Sequence, residues 1–491
     1  MVQLIIDDVS LGFVWIMEHL VFLNIALSLL IILFQRKEPR TVWTWLLVLY
    51  FVPVLGFLLY LLIGQNFHKN KMFKMKEIED EVKLAVRRQG ESICLKQIKV
   101  GNLELEKYKS LILYNLNEAD AVITDNNDIR IFTNGKEKFE TLLNEMEHAL
   151  KYIHIQYYII RDDELWQKIE TLLKRKISEG VEVRVLFDGM GCRSMGASSW
   201  KRLEEAGIKV AEFFPAVLGK FHFRVNYRNH RKIVVIDGRI GFVGGFNVGR
   251  EYLGMDEKFG YWRDTHICIE GAAVTSLALR FALDWNYASG ENIFIQNHLF
   301  EIPQYIRNGK DSVQIISSGP DSQNKVIRNN YLRLIYMAKR NLYIQTPYFI
   351  PDEEILDALK IAAKSGVDVQ IMIPCKADHP FVYWATYSYI GDVIEAGVKC
   401  YTYDEGFLHA KCMCIDGTVT CIGTANMDIR SFSLNFEVNA TIYSGRTTRK
   451  LEEAFENDVQ KSTLVTRKRY QSRNMWIRIK EQFSRLLSPL M

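Results

Sequence analysis

The residues best suited to chemistry in this chain occur as a repeated spacing. His230-Arg231-Lys232, four residues, then Asp237 is matched by His409-Ala410-Lys411, four residues, then Asp416. In both places six residues follow the Asp before a small-residue motif ending in Asn, Gly244-Gly245-Phe246-Asn247 and Gly423-Thr424-Ala425-Asn426. Each copy offers a nucleophile or proton donor (His), a cation (Lys) and an amide (Asn). That inventory suits attack on a negatively charged phosphorus centre. Two copies with one internal spacing point to a duplicated site.

These side chains need strands to aim them. Residues i and i+2 of a strand face the same way, so His230 points with Lys232, and His409 with Lys411. A Lys on an otherwise apolar strand is costly to bury without an anion to bind, and two such strands suggest one shared anion. Asp237 and Asp416 sit at an odd offset from their histidines. Asp237-Gly238 and Asp416-Gly417 are also hairpin-turn dipeptides between apolar runs. Turn chemistry and direct participation both stand as readings of these two carboxylates.

The surrounding pattern is itself duplicated. Phe139, Leu142, Leu143, Met146 and Leu150 keep helical spacing, followed by a strand at Ile153, Ile155 and Gln156. Gly180–Phe187 and Glu205–Val210 then lead to the first motif. Asn341–Gln345, Gly366–Ile373 and Glu395–Cys400 replay that order before the second. Strands alternating with helices predict an α/β fold with a mixed or parallel sheet, its two copies face to face around one active site.

The ends of the chain are different material. Residues 11–34 and 41–64 are apolar runs of 24 residues each, about 36 Å as helix against a hydrocarbon core of about 30 Å. The short charged connection 35–40 makes them a transmembrane hairpin, with Trp43, Trp45, Tyr50 and Tyr60 as interfacial aromatics. A cleavable signal peptide fits poorly, since no basic leader or small-residue cleavage site is visible; a buried soluble hairpin is the other alternative. Lys69, Lys71, Lys74 and Lys76 outnumber Arg36, Lys37 and Arg40, which favours a cytoplasmic catalytic portion. Residues 65–110 read as a charged linker with a short helical stretch. From Lys461 to Met491 there are eight basic residues and one acid, Glu481, with Trp476, Ile479, Phe483, Leu486 and Leu487 on a helical stripe. This is a basic amphipathic helix for an anionic membrane surface, or else a helix docked on the catalytic portion.

Composition bounds the partners. Lys and Arg total 62 against 58 Asp and Glu, a net charge of +4, so a nucleic-acid groove is disfavoured. The eight cysteines are scattered and read as free thiols in a reducing compartment. No spacing resembles a zinc signature, and a Lys two residues from each motif His would repel a cation; no metal or cofactor is expected. His266 reads as strand structure, and His154 and His222 as ordinary packed or surface residues.

On the paired His-x-Lys-x4-Asp motifs with downstream Asn, the chain resembles the phospholipase D superfamily. Within it, the chain is similar to the bacterial cardiolipin synthases. That narrower likeness rests on Arg40–Leu46, Pro53–Gly56, Asn226–Lys232, Tyr261–His266, Ser318–Asp321, Gln345–Phe349 and Ala425–Ser431. The resemblance implies duplicated phospholipase D-like domains, at 111–300 and 301–460, packed around one shared site. They follow a membrane hairpin (1–64) and a linker (65–110) and precede a basic segment (461–491). It implies a metal-free, two-step transfer. One His forms a phosphohistidine; the other protonates the departing alkoxide and then deprotonates the incoming hydroxyl. His230 and His409 would share these roles, His230 as nucleophile by family analogy alone. Lys232, Lys411, Asn247 and Asn426 would hold the phosphate oxygens, Asp237 and Asp416 complete the motifs, and Glu437 would orient a neighbouring His. The implied reaction joins two phosphatidylglycerols into cardiolipin and glycerol at the bacterial cell membrane. A phospholipase D or phosphatidylserine synthase would use the same site, and a membrane-tethered nuclease is the alternative of another class. Oligomeric state and acyl preference have no signature in the residues.

Overall fold

The computed structural model describes residues 103–215, 227–293, 309–322 and 324–488, the stretch 39–52, and a few single positions between 19 and 56. The chain divides into two compact units, Met1–Lys71 with Val217–Asn226, and Met72–Ala216 with Tyr227–Met491.

Of the first unit the clearest element is the helix Pro39–Phe51. It opens on proline, whose missing N–H is no loss at a helix start. The expected connection 35–40 is therefore already helical at Pro39 and Arg40. Trp43, Leu47, Tyr50 and Phe51 are exposed, whereas Leu49 is buried and its carbonyl accepts from the Asn24 amide at 3.3 Å. Among the described residues no helix is long and apolar enough to cross a membrane. Most of the expected span 11–34, residues 53–55 and 57–64 of the span 41–64, and linker residues 65–102 lie outside the described residues.

The second unit is built twice. Its first sheet runs in the order Lys209–Phe213, Glu182–Asp188, Tyr152–Tyr157, Ile233–Ile236, Ile240–Gly244, Trp262–Glu270, Ile123–Asn134. The second repeats that order with Lys399–Tyr403, Asp368–Pro374, Asn341–Gln345, Cys412–Ile415, Val419–Gly423, Asn435–Tyr443, Asp311–Ser318. In each, the first three strands are parallel and the rest antiparallel, the mixed sheet expected. Ile123, Thr124 and Asn127 also pair with Gln314, Val313 and Asp311, which links the two sheets into one hydrogen-bonded system.

Side-chain alternation along these strands divides the interior into three apolar layers. Ile153, Ile155, Val183, Val185, Val234 and Ile236 pack outward against Phe139 and Leu142 of the helix Gly135–Glu147 and Trp166 and Leu173 of Glu164–Ser178. Leu342, Ile344, Val369 and Ile371 do the same in the second half against Val326–Met337 and Glu353–Lys364. Between the sheets, Leu186, Ile233, Val235 and Val243 share a core with Cys412, Cys414, Ile422 and Val438. That central layer holds the two motif-bearing hairpins against each other.

Two boundaries differ from expectation. The helix Leu103–Ala119 begins inside the predicted linker, and its Leu105, Leu111, Ile112 and Leu116 are buried in the second half's outer core. At the other end Ser462–Leu464 is an edge strand on Lys399–Tyr403, so the terminal segment departs from the sheet only after it.

Candidate active site

Each motif is delivered by a short strand that crosses to the other half. Arg228–Asn229 pairs in parallel with Asn435–Phe436, and Phe407–Leu408 pairs in parallel with Trp262–Arg263. The next residue in each case is the histidine. His230 donates its backbone N–H to the Phe436 carbonyl at 2.9 Å, and His409 donates to that of Arg263 at 2.7 Å. Neither imidazole is held by its own repeat alone.

The side chains repeat this exchange. His230 Nδ1 stands 3.0 Å from both carboxylate oxygens of Glu437, and His409 Nδ1 stands 2.6 Å from Asp264 Oδ2. Glu437 and Asp264 occupy the same third position of the equivalent strands Asn435–Tyr443 and Trp262–Glu270. A carboxylate acceptor at Nδ1 fixes the Nδ1–H tautomer and leaves the Nε2 lone pair for chemistry. Lys411 Nζ is also 2.9 Å from His409 Nδ1. One nitrogen cannot donate to Asp264 and accept from Lys411 together; the shorter carboxylate bond decides, and Lys411 donates to the His409 carbonyl instead.

Lys232 and Lys411 are both fully buried. Lys232 donates to the His230 carbonyl at 2.6 Å, and its Nζ lies 5.4 Å from the Tyr158 ring centroid. Burial pushes the Lys232 ammonium down to about 7 and the Lys411 ammonium to about 8, against the pull of Glu437 and Asp264. Two ammonium groups held this reluctantly are poised to receive an anion. Burial also drives His230 down to about 4, Glu437 opposing and Lys232 and Lys411 adding. His409 is lowered by burial and Lys411, with Asp264 opposing. Burial alone would raise the two carboxylates; Lys411 and His409 bring Asp264 below its usual range, and His230 and Lys232 do so for Glu437. The resting site thus pairs neutral imidazoles with ionised carboxylates. The backbone and carboxylate contacts exchanged between the halves bring both motifs together.

Aromatic rings wall this site. Tyr158 meets His230 edge-on at 4.9 Å between centroids, and Trp262 lies 5.2 Å from His409. Behind the motifs, Arg231 is clamped by Asp284, Ser317 and the Glu437 carbonyl. Arg263 is held by Asp458, Thr265 and Gln345. These buried, fully partnered guanidiniums rigidify the strands that carry the carboxylates.

Asp237 and Asp416 are not with the histidines. Each lies at the turn end of its hairpin with φ near the left-handed region, 52° and 53°. Asp237 accepts from the backbone amides of Leu150, Lys151 and Tyr152, all at 2.8 Å, and Asp416 from those of Lys339, Arg340 and Asn341. They tie the hairpin turn to the start of the neighbouring parallel strand. Asn247 is likewise occupied: it accepts from the Ile159 amide at 3.1 Å and donates to the Tyr252 hydroxyl at 3.2 Å. Asn426 is buried, and its Oδ1 has no hydrogen-bond partner. Its neighbour Asp428, raised to about 6 by burial, caps the short helix Ile429–Ser433.

Asp264 is the functional residue that sequence reasoning missed. Its signal was present, since aligning the two repeats strand by strand sets it opposite Glu437. The longer loop between Asn247 and Trp262 hides the match when residues are merely counted from each motif. His266, two positions on, is fully buried beneath Gly244, where a Cβ would fall 2.5 Å from His266 Cα. Among the described residues no cluster of three His, Cys, Asp or Glu side chains is placed to hold a metal ion.

Comparison with known proteins gives the arrangement its relatives. The family described as "Cardiolipin synthase, PLD-like domain" matches residues 142–270 and again 331–459. "Phospholipase D-nuclease N-terminal" matches 22–65. A cardiolipin synthase of Oceanobacillus iheyensis is 49% identical over 96% of this chain and 97% of its own. The major cardiolipin synthase ClsA of Bacillus subtilis is 48% identical over the same shares. Among solved structures, phosphatidylserine synthase from Haemophilus influenzae has a TM-score of 0.59 and 17% identity, covering 79% of this chain and 100% of its own, a likeness of fold.

Proposed function

Because the chain belongs to the cardiolipin synthases of the phospholipase D superfamily, we propose that it joins two phosphatidylglycerol molecules into cardiolipin and releases glycerol. The observation that carries this reading is the exchange of carboxylates between halves, which leaves two Nε2 atoms available in one buried, lysine-lined site.

His230 is taken as the nucleophile, by analogy with the family. Its Nε2 attacks phosphorus, a P–N bond forms, and the bond from phosphorus to the glycerol oxygen breaks. His409 takes up one proton from solvent as the anionic phosphodiester binds, gives that Nε2 proton to the departing oxygen, and glycerol leaves. The terminal hydroxyl of the second phosphatidylglycerol then surrenders its proton to His409 and attacks phosphorus. The P–N bond breaks, cardiolipin departs, and both histidines return to their starting states. Lys232 and Lys411 take the non-bridging oxygens, offsetting charge in the pentacoordinate state. Asn426 is placed to assist; Asn247, Asp237 and Asp416 hold the scaffold.

The apolar runs 11–34 and 41–64 anchor the enzyme in the bacterial cell membrane, with the catalytic unit on the cytoplasmic side; the hydropathy of these runs and the family match over 22–65 support this. Pure phosphatidylglycerol in liposomes tests the reaction. Cardiolipin with equimolar glycerol is expected, and phosphatidic acid as the sole lipid product would make the protein a hydrolase.

A further inference from the structure

The helix Met475–Leu486 packs inside out. It lies along Pro380–Ala396, and the residues it turns inward are polar. Glu481 is 1% exposed and paired with Arg473 at 2.8 Å; Ser484 is also 1% exposed; Arg485 reaches Asp392 at 2.7 Å. Docking is specific: Tyr470 donates to the Ser388 carbonyl and packs so closely on Gly391 that a Cβ there would lie 2.2 Å from its hydroxyl oxygen. The outward face is the apolar one. Trp476 is 70% exposed, Ile479 50%, Phe483 55% and Leu486 78%. A helix free to rotate would bury that stripe against its neighbour; this one is pinned with it facing away.

The surroundings identify what covers it. Arg467, Lys468, Arg469, Arg478 and Lys480 are exposed around the stripe, while the segment's one acid, Glu481, is buried. Phe381, in the first turn of the supporting helix, is exposed as well. That helix begins two residues after Asp378, which accepts from the Tyr348 hydroxyl and whose charge acts on Lys411. An apolar stripe rimmed by cations, on a helix packed along the one that follows Asp378, fits an anionic bilayer surface, with apolar side chains in the acyl boundary and cations among the headgroups.

We infer that the face formed by Met475–Leu486 and the start of Pro380–Ala396 inserts into the anionic leaflet and seats the active site against it. The inference takes its purpose from the proposed lipid reaction, but the insertion measurement below does not depend on that reaction.

The test uses the full chain with Cys94 and Cys375 replaced by Ser and an environment-sensitive fluorophore on Ile479→Cys. A blue shift is expected in proteoliposomes of phosphatidylglycerol, weaker in phosphatidylcholine and reduced by salt. Trp476→Ser/Ile479→Ser/Phe483→Ser should lower turnover of bilayer phosphatidylglycerol by about tenfold while sparing short-chain phosphatidylglycerol in micelles. A water-like probe signal in both vesicles overturns the inference. So does a blue shift in detergent that grows with protein concentration, because it would make a second copy of the chain the occupant. Equal losses on bilayers and micelles would mean a structural helix and overturn it as well.

Discussion

His409 Nδ1 stands 2.6 Å from an Asp264 carboxylate oxygen, and the two residues belong to different halves of the duplicated unit. The mirror contact, His230 with Glu437, is also made between halves. Asp264→Asn and Glu437→Gln keep the shape but replace an acceptor by an amide able to donate, which favours the wrong imidazole tautomer. Cardiolipin formation should fall by about 10²–10⁴-fold in each, with melting temperatures little changed. Activity within a few-fold of the native enzyme would remove the carboxylates from the mechanism.

His230→Ala and His409→Ala should each abolish turnover. With phosphorus-labelled phosphatidylglycerol, His409→Ala should retain slow formation of an acid-labile protein-bound label, and His230→Ala should show none. Label on His230→Ala but not on His409→Ala would reverse the assigned roles.

The lowered lysines set an alkaline limit. Lys232 titrates near 7 and Lys411 near 8, both charged below and neutral above. An anionic substrate binds the charged forms, so kcat/KM should decline as pH rises through 7 to 8, and bound anion should move the decline upward. Glu437 raises the value of Lys232, so Glu437→Gln should shift residual activity toward lower pH. Inorganic phosphate should accordingly raise the melting temperature more at pH 6 than at pH 9. Protection that is constant across that range would show that the lysines do not take the anion.

Asp237→Ala and Asp416→Ala strip three amide contacts from each hairpin and leave alanine at positive φ. A loss of about 1–3 kcal/mol each is expected in denaturant unfolding, with turnover per folded molecule preserved. Asn, which tolerates that backbone, should recover part of the loss. Loss of turnover without loss of stability would return these residues to the chemistry.

Much of this site was legible from residue spacing, because His and Lys two apart between apolar runs have few uses. What escaped depended on contacts distant in sequence. The pairing of Arg228–Asn229 with Asn435–Phe436 leaves no local periodicity, and Asp264 is visible only once the strands are aligned. A short helical stretch in the linker was legible, but not that the helix Leu103–Ala119 belongs to the core, because its charged residues line the exposed side of a buried apolar stripe. The terminal stripe was readable as a helix, but not which face the protein keeps, since that is fixed by Arg473, Asp392 and Gly391 elsewhere on the surface.

The crossing of the two short strands makes activity a proof-reader of assembly. A nascent chain whose first half has folded holds His230 with no Glu437 to aim it, and Asp264 with no histidine to serve. Such an intermediate has no means of attacking a phosphodiester. The hazard of an enzyme that cleaves phospholipids is deferred until the strand Asn435–Tyr443 is in place.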